Sequence, residues 1–177
     1  MAPESPTLVP VWDRVVRITH WSVAALVLWD LFEDSGGPLH RNLGYAAAAL
    51  VAVRLAWGFA GSVNARFATW WPRLSILRRY VASLRAGIPM KFASHNPIGA
   101  LGMLAMWGLI LGLALTGWLS RLDAFWGEDR PRDLHTWLAY TLAALVAVHV
   151  SAAIVMSLLH KDNLVLAMLT GKKRRQG

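Results

Sequence analysis

Residues 133–159 read DLHTWLAYTLAALVAVHVSAAIVMSLL, and after Asp133 the stretch contains no further Asp, Glu, Lys or Arg. As a helix it would extend about 40 Å, more than the roughly 30 Å of a bilayer's hydrocarbon core. Two histidines interrupt it, His135 and His149. An ionisable side chain inside a membrane span is expensive, so each requires a partner or a function. Fourteen residues separate them, which is about 21 Å along a helix axis and about 40° around it. They therefore share one face, yet no single metal ion can bind both. A four-histidine zinc or copper site is dismissed, and two separate sites are left.

Three more apolar runs precede this one, giving expected spans of about 15–33, 40–60, 97–119 and 133–159. Gly36-Gly37-Pro38 ends the first, and Gly58-Phe59-Ala60-Gly61 closes the second. Asn96-Pro97 places an N-cap before a proline at the first helical position of the third. Between spans two and three, residues 61–96 mix Arg66, Arg73, Arg78, Arg79, Arg85 and Lys91 with Trp70, Trp71 and Tyr80. This composition predicts a partly helical interfacial loop, with rings at headgroup depth and cations meeting the phosphates of membrane lipid. The segment Met1 to Pro10 lacks the pattern of a secretory signal and reads as a short disordered leader. Residues 1–177 are thus expected to form a single transmembrane domain, an all-α, integral membrane four-helix bundle.

Four spans place both termini on one side. Assigning that side to the cytoplasm gives it fourteen Lys or Arg and leaves four outside, so the positive-inside rule sets the orientation. Three acidic residues fall inside and seven outside, so the two faces carry about +11 and −3. N- and C-termini are expected in the cytoplasm, and the outward face is expected to be acidic.

This orientation pairs the histidines by depth. His149 and His20 each lie a short way in from the inner boundary, whereas His40 and His135 begin spans that start on the outer side. The last span then supplies one imidazole to each pair, opposite the first span at the inner level and the second at the outer. A planar macrocycle held between helices fits that arrangement. Two axial imidazoles leave a heme iron no open position, which favours outer-sphere electron transfer over oxygen chemistry. The competing reading is that the histidines are hydrogen-bonded between helices or, for His40 and His135, simply interfacial.

Arg54 lies fourteen residues beyond His40, the same interval as between the last two histidines, and so reaches the inner level on a similar face. Pairing with a heme propionate and snorkelling to the inner headgroups both fit it. Gly44, one turn after His40, leaves room for a porphyrin edge or for close helix packing. His95 and His160 fall at the inner water boundary without depth-matched partners and read as interfacial, with a quinone or propionate role as the lesser alternative. Gly99, Gly102, Gly108 and Gly112 give the third span a small-residue surface whose expected use is packing.

Composition excludes several classes. With 56% hydrophobic and 16% charged residues the chain is too apolar for an ordinary soluble domain. It has no cysteine, which removes disulfides, iron–sulfur ligation, thiolate nucleophiles and covalent Cys-x-x-Cys-His heme attachment. The net charge of +8 sits in loops between apolar runs and not on a basic binding face, so nucleic acid is not an expected partner.

His20-Trp21, His40 with Gly44, and the His135 to His149 interval together resemble the bacterial cytochrome b561 family. Further matching stretches are Arg54-Leu55-Ala56-Trp57-Gly58-Phe59-Ala60-Gly61-Ser62, His95-Asn96-Pro97-Ile98-Gly99, Thr116-Gly117-Trp118, His160-Lys161-Asp162-Asn163-Leu164 and Thr170-Gly171. The resemblance covers nearly the whole chain. It implies two noncovalent b-type hemes ligated by His20, His40, His135 and His149. It also implies ubiquinone or another membrane quinone as substrate, and residence in the bacterial inner membrane. Related b-type subunits of nickel–iron hydrogenases share the plan, but no long extra segment here marks a hydrogenase-specific docking surface.

The leading expectation is an electron-transfer protein joining the quinone pool to a periplasmic redox protein. An acidic outer face would suit a basic partner such as a c-type cytochrome. A self-contained superoxide:ubiquinone oxidoreductase is the enzyme alternative, with Arg121, Arg130 and Arg132 as a local positive funnel against the repulsion of the acidic face. The third class is a proton-coupled transporter whose histidines relay protons.

Overall fold

The computed structural model describes residues 8–33, 35–88, 90, 92, 94–160 and 163–174. Residues 1–7, Asp34, Lys91, Lys161, Asp162 and Arg175, which the sequence reading used, lie outside the described residues.

Helix α1 (Arg14–Asp30) starts where the Asp13 carboxylate accepts a hydrogen bond from the Val16 amide at 2.9 Å. It is 17 residues long and stops three residues short of the expected end. Leu31 and Phe32 instead turn the chain towards Gly36, which takes the left-handed φ of 65°. Helix α2 (Pro38–Ala60) then begins with proline in its first turn, where a missing N–H costs nothing.

The loop between spans folds into two short helices, α3 (Phe67–Trp70) and α4 (Leu74–Arg85). Helix α5 (Pro97–Leu119) is capped as its Asn96-Pro97 start predicts, with the Asn96 side chain accepting from the Gly99 amide at 2.7 Å. Helix α6 (Arg130–His160) begins three residues before Asp133, drawing Arg130 and Arg132 from the expected connection into its first turn. Helix α7 (Leu164–Thr170) ends at Gly171, whose φ is 79°.

Strand β1 (Leu8–Pro10) pairs antiparallel with strand β2 (Lys172–Arg174), Leu8 opposite Arg174 and Pro10 opposite Lys172. This corrects two expectations. The leader is not disordered over residues 8–10, and the chain is mostly but not wholly helical. A three-residue strand carries no pattern of its own and exists here because Gly171 delivers its partner. The Gly171 carbonyl accepts from the amides of Val11 and Trp12 at 2.8 and 3.1 Å. A Cβ on residue 171 would lie 2.6 Å from the Trp12 carbonyl oxygen, so only glycine suits both the dihedral and the contact.

α1 packs on α2, α2 on α5, and α5 on α6, around a core of Val27, Ala47, Val51, Ile110 and Leu142. The backbone of α6 approaches α1 and α2 only loosely. A second cluster, Val11, Trp12, Val16 and Ala65, closes the end of the bundle where β1 and β2 pair. Among the described residues three helices are long and apolar enough to cross a membrane, Pro38–Ala60, Pro97–Leu119 and the α6 portion Arg130–Leu159, and the 17-residue α1 of the expected first span is not one of them. Val148, Ile154, Val155, Leu158 and Leu159 on α6 are exposed, a distribution that suits lipid and not water.

Candidate functional site

Helix α6 faces α1 and α2 across the two loosely packed seams of the fold, and the four internal histidines lie in those seams. His20 of α1 meets His149 of α6 with ring centroids 6.4 Å apart and planes inclined by 53°. His40 of α2 meets His135 of α6 at 5.9 Å and 69°. Two imidazoles on opposite sides of one iron have ring centres about 6 Å apart. That is two metal–nitrogen bonds of about 2 Å plus about 1 Å from nitrogen to ring centre at either end. Both pairs stand at that separation.

At the His40–His135 pair both rings are oriented through Nδ1. His135 Nδ1 lies 3.1 Å from the Leu113 carbonyl oxygen and 3.1 Å from Thr116 Oγ1. The Thr116 hydroxyl donates to the Gly112 carbonyl at 2.8 Å and so accepts from the ring. His40 Nδ1 lies 2.8 Å from the Glu33 carbonyl oxygen and 2.9 Å from Asp30 Oδ1. With protons drawn to Nδ1 by these acceptors, Nε2 keeps its lone pair on each ring. A Cβ on Gly117 would stand 3.3 Å from His135 Cε1, so the glycine lets that ring seat against α5. A cavity surrounds this pair, lined by Asp30, His40, Gly44, Leu113, Gly117 and His135 among others. A larger groove between α6 and α7 includes none of the four histidines in its lining.

A family model described as prokaryotic cytochrome b561 matches residues 11–171. The chain belongs to the prokaryotic cytochrome b561 family. The protein is thus a membrane b-type cytochrome, a class that binds heme b and transfers electrons. Three curated relatives, each 23% identical, are described as probable Ni/Fe-hydrogenase B-type cytochrome subunits. The match with that of Rhizobium leguminosarum bv. viciae covers 92% of this chain and 87% of the relative. Those of Bradyrhizobium diazoefficiens and Cupriavidus necator match 93% and 91% of this chain, and 85% of each relative. No solved structure matches the cytochrome.

The donor set suits a propionate-bearing macrocycle. Arg54 is 5% exposed, so it does not snorkel to headgroups. Its Nη2 donates to the Ala65 carbonyl at 3.2 Å and its guanidinium lies 5.2 Å from the Trp107 ring centre, while Nη1 is buried without a hydrogen-bond partner. Arg17 Nε and His20 Nδ1 are likewise buried and unpartnered. Unanswered buried cationic donors such as Arg54 Nη1 and Arg17 Nε are what an anionic carboxylate would satisfy. Gly44 lines the cavity with His40 and His135, and a Cβ there would meet Asp30 Oδ2 at an ordinary 3.5 Å.

Sequence reasoning missed three features of this cytochrome. Asp30, inside the expected first span, was not singled out, and it stands 2.9 Å from His40 Nδ1. Thr116 and Leu113 orient His135 from α5, a helix read as packing alone. His95 is not merely interfacial, since it lies between Trp12 and Trp70, with ring centroids 4.8 and 5.2 Å away, and its Nδ1 is buried and unpartnered. Desolvation, with Arg54 and Lys173 nearby, lowers its pKa to about 3. The side chain of His160 lies outside the described residues.

Proposed function

We propose that this chain carries two noncovalent hemes b in a four-helix bundle spanning the bacterial inner membrane, with both termini in the cytoplasm. His20 and His149 ligate the inner heme, and His40 and His135 the outer one. Arg54 meets an inner propionate. The observation that supports this best is the pair of imidazole separations, 6.4 and 5.9 Å, at two levels of one bundle. Heme supplies one-electron chemistry, and a protein that fills both axial positions has outer-sphere transfer as its remaining use.

The physiological role that follows is electron transfer between a quinone in the bilayer and a redox partner on the periplasmic side. The relatives' descriptions favour a hydrogenase-like metalloenzyme as that partner. The acidic outer face favours, as a second reading, a basic soluble c-type cytochrome. Purified protein should give a reduced-minus-oxidised spectrum of paired-imidazole heme and about two hemes per chain. His20→Ala or His149→Ala should each remove one heme and leave the other. A well-folded, heme-supplied protein without those bands would overturn the proposal, and a colourless one would restore the proton-relay reading of the histidines.

A further inference from the structure

The two imidazole pairs have different surroundings. At the inner pair His20 Nδ1 is buried and has no hydrogen-bond partner. At the outer pair His40 Nδ1 has two oxygens within reach, the Glu33 carbonyl at 2.8 Å and the carboxylate of Asp30 at 2.9 Å. The N–H points at the Glu33 carbonyl, so Asp30 Oδ1 stands beside the ring as a buried oxygen without a directed hydrogen bond of its own. The side chains of Asp30 and His40 are only 20% and 24% exposed, so water screens this contact weakly. The other carboxylate oxygen, Oδ2, packs on α2, 3.5 Å from where a Cβ on Gly44 would be, an ordinary contact distance.

A carboxylate beside the outer nitrogen of a ligating imidazole makes the ring a stronger donor and favours the more positive state of the metal. Burial, hydrogen bonding and nearby charge are the levers by which a protein sets a heme potential. We propose that Asp30 is a positioning residue that lowers the reduction potential of the outer site below that of the inner one. One electron supplied by the outer redox partner then passes downhill from the outer to the inner pair, and leaves to a quinone. This rests on the two-heme reading above and adds the direction of flow to it.

The test is a spectroscopic redox titration of the heme-loaded, full-length protein in detergent, for wild type, Asp30→Asn and Asp30→Glu. His149→Ala, which retains the outer site alone, assigns the components. In wild type the outer component should be the lower of the two. Asp30→Asn should raise only that component, by about tenfold in its oxidised-to-reduced equilibrium, which is about 59 mV for one electron. Asp30→Glu, keeping the charge, should stay near wild type. If Asp30→Asn moves neither component, or moves the inner one alone, the proposal is overturned. A wild-type outer potential above the inner one overturns it too, and needs no Asp30 variant. Absence of paired-imidazole bands in wild type would instead sink the two-heme reading itself.

Discussion

Asp13 shows how much one carboxylate does at the start of α1. It caps α1 and also accepts from Trp57 Nε1 at 2.9 Å and Ser62 Oγ at 2.5 Å, fastening α1 to the end of α2. Burial alone would raise its pKa, but the hydrogen bonds from Ser62, Trp57 and Val16 together bring it below the ordinary 3.8. A group with a lowered folded pKa stabilises fully above the unfolded value and loses that contribution as pH falls through the folded one. Thermal unfolding in detergent should therefore show an Asp13-dependent loss only below about pH 4, absent from Asp13→Ala. That variant should lose about 1 kcal/mol from the cap alone.

His95 has the matching behaviour for a base. Its folded pKa of about 3 lies under the ordinary 6.5, so the unfolded chain binds more protons between those values. Stability should fall as pH drops from 6.5 towards 3, and His95→Gln should flatten that part of the profile. At the outer pair, Thr116→Val removes an oxygen that accepts from His135 Nδ1. Outer heme should then be held about tenfold more weakly, measured by its dissociation relative to the inner heme.

At the scale of elements, α6 is central because it packs on α5 and presents His135 and His149 towards two looser seams. Its composition made this legible: an uncharged run holding two histidines on one face has few other uses. The counterparts were legible too, since depth arithmetic needs only helix rise and span direction. The terminal clasp was not, because Leu8–Pro10 and Lys172–Arg174 are short and distant in sequence, and only the folded chain brings them together. Trp21 Nε1 reaching the Met168 carbonyl at 3.4 Å and Arg17 donating to the Leu169 carbonyl tie α1 to α7 beneath the clasp. Gly171→Val sets a branched side chain at a φ of 79° and against the Trp12 carbonyl. We expect a loss of about 1–3 kcal/mol, read as a lower melting temperature with faster proteolysis near both termini.

For the whole molecule, labelling reads orientation and salt dependence reads the partner. The chain has no cysteine, so single introduced thiols report sidedness without background. Ser35→Cys should react with an impermeant maleimide on intact spheroplasts, and Ser75→Cys only after lysis; the reverse pattern would invert the proposed topology. If an acidic outer face steers a basic partner, reduction by that partner should slow steeply with ionic strength. A hydrogenase-like partner bound through a large apolar surface would show little such dependence and would co-purify.

The order of residues alone determined that this chain is a membrane protein of helices with histidines at two depths. Hydropathy and a 1.5 Å rise act locally and need no knowledge of neighbours. Only the tertiary structure decided what surrounds each imidazole: Asp30 and Glu33 beside His40, Leu113 and Thr116 beside His135, and no partner at His20 Nδ1. Those contacts depend on how helices rotate about their own axes and where turns end, which side-chain packing sets across elements and no single segment encodes.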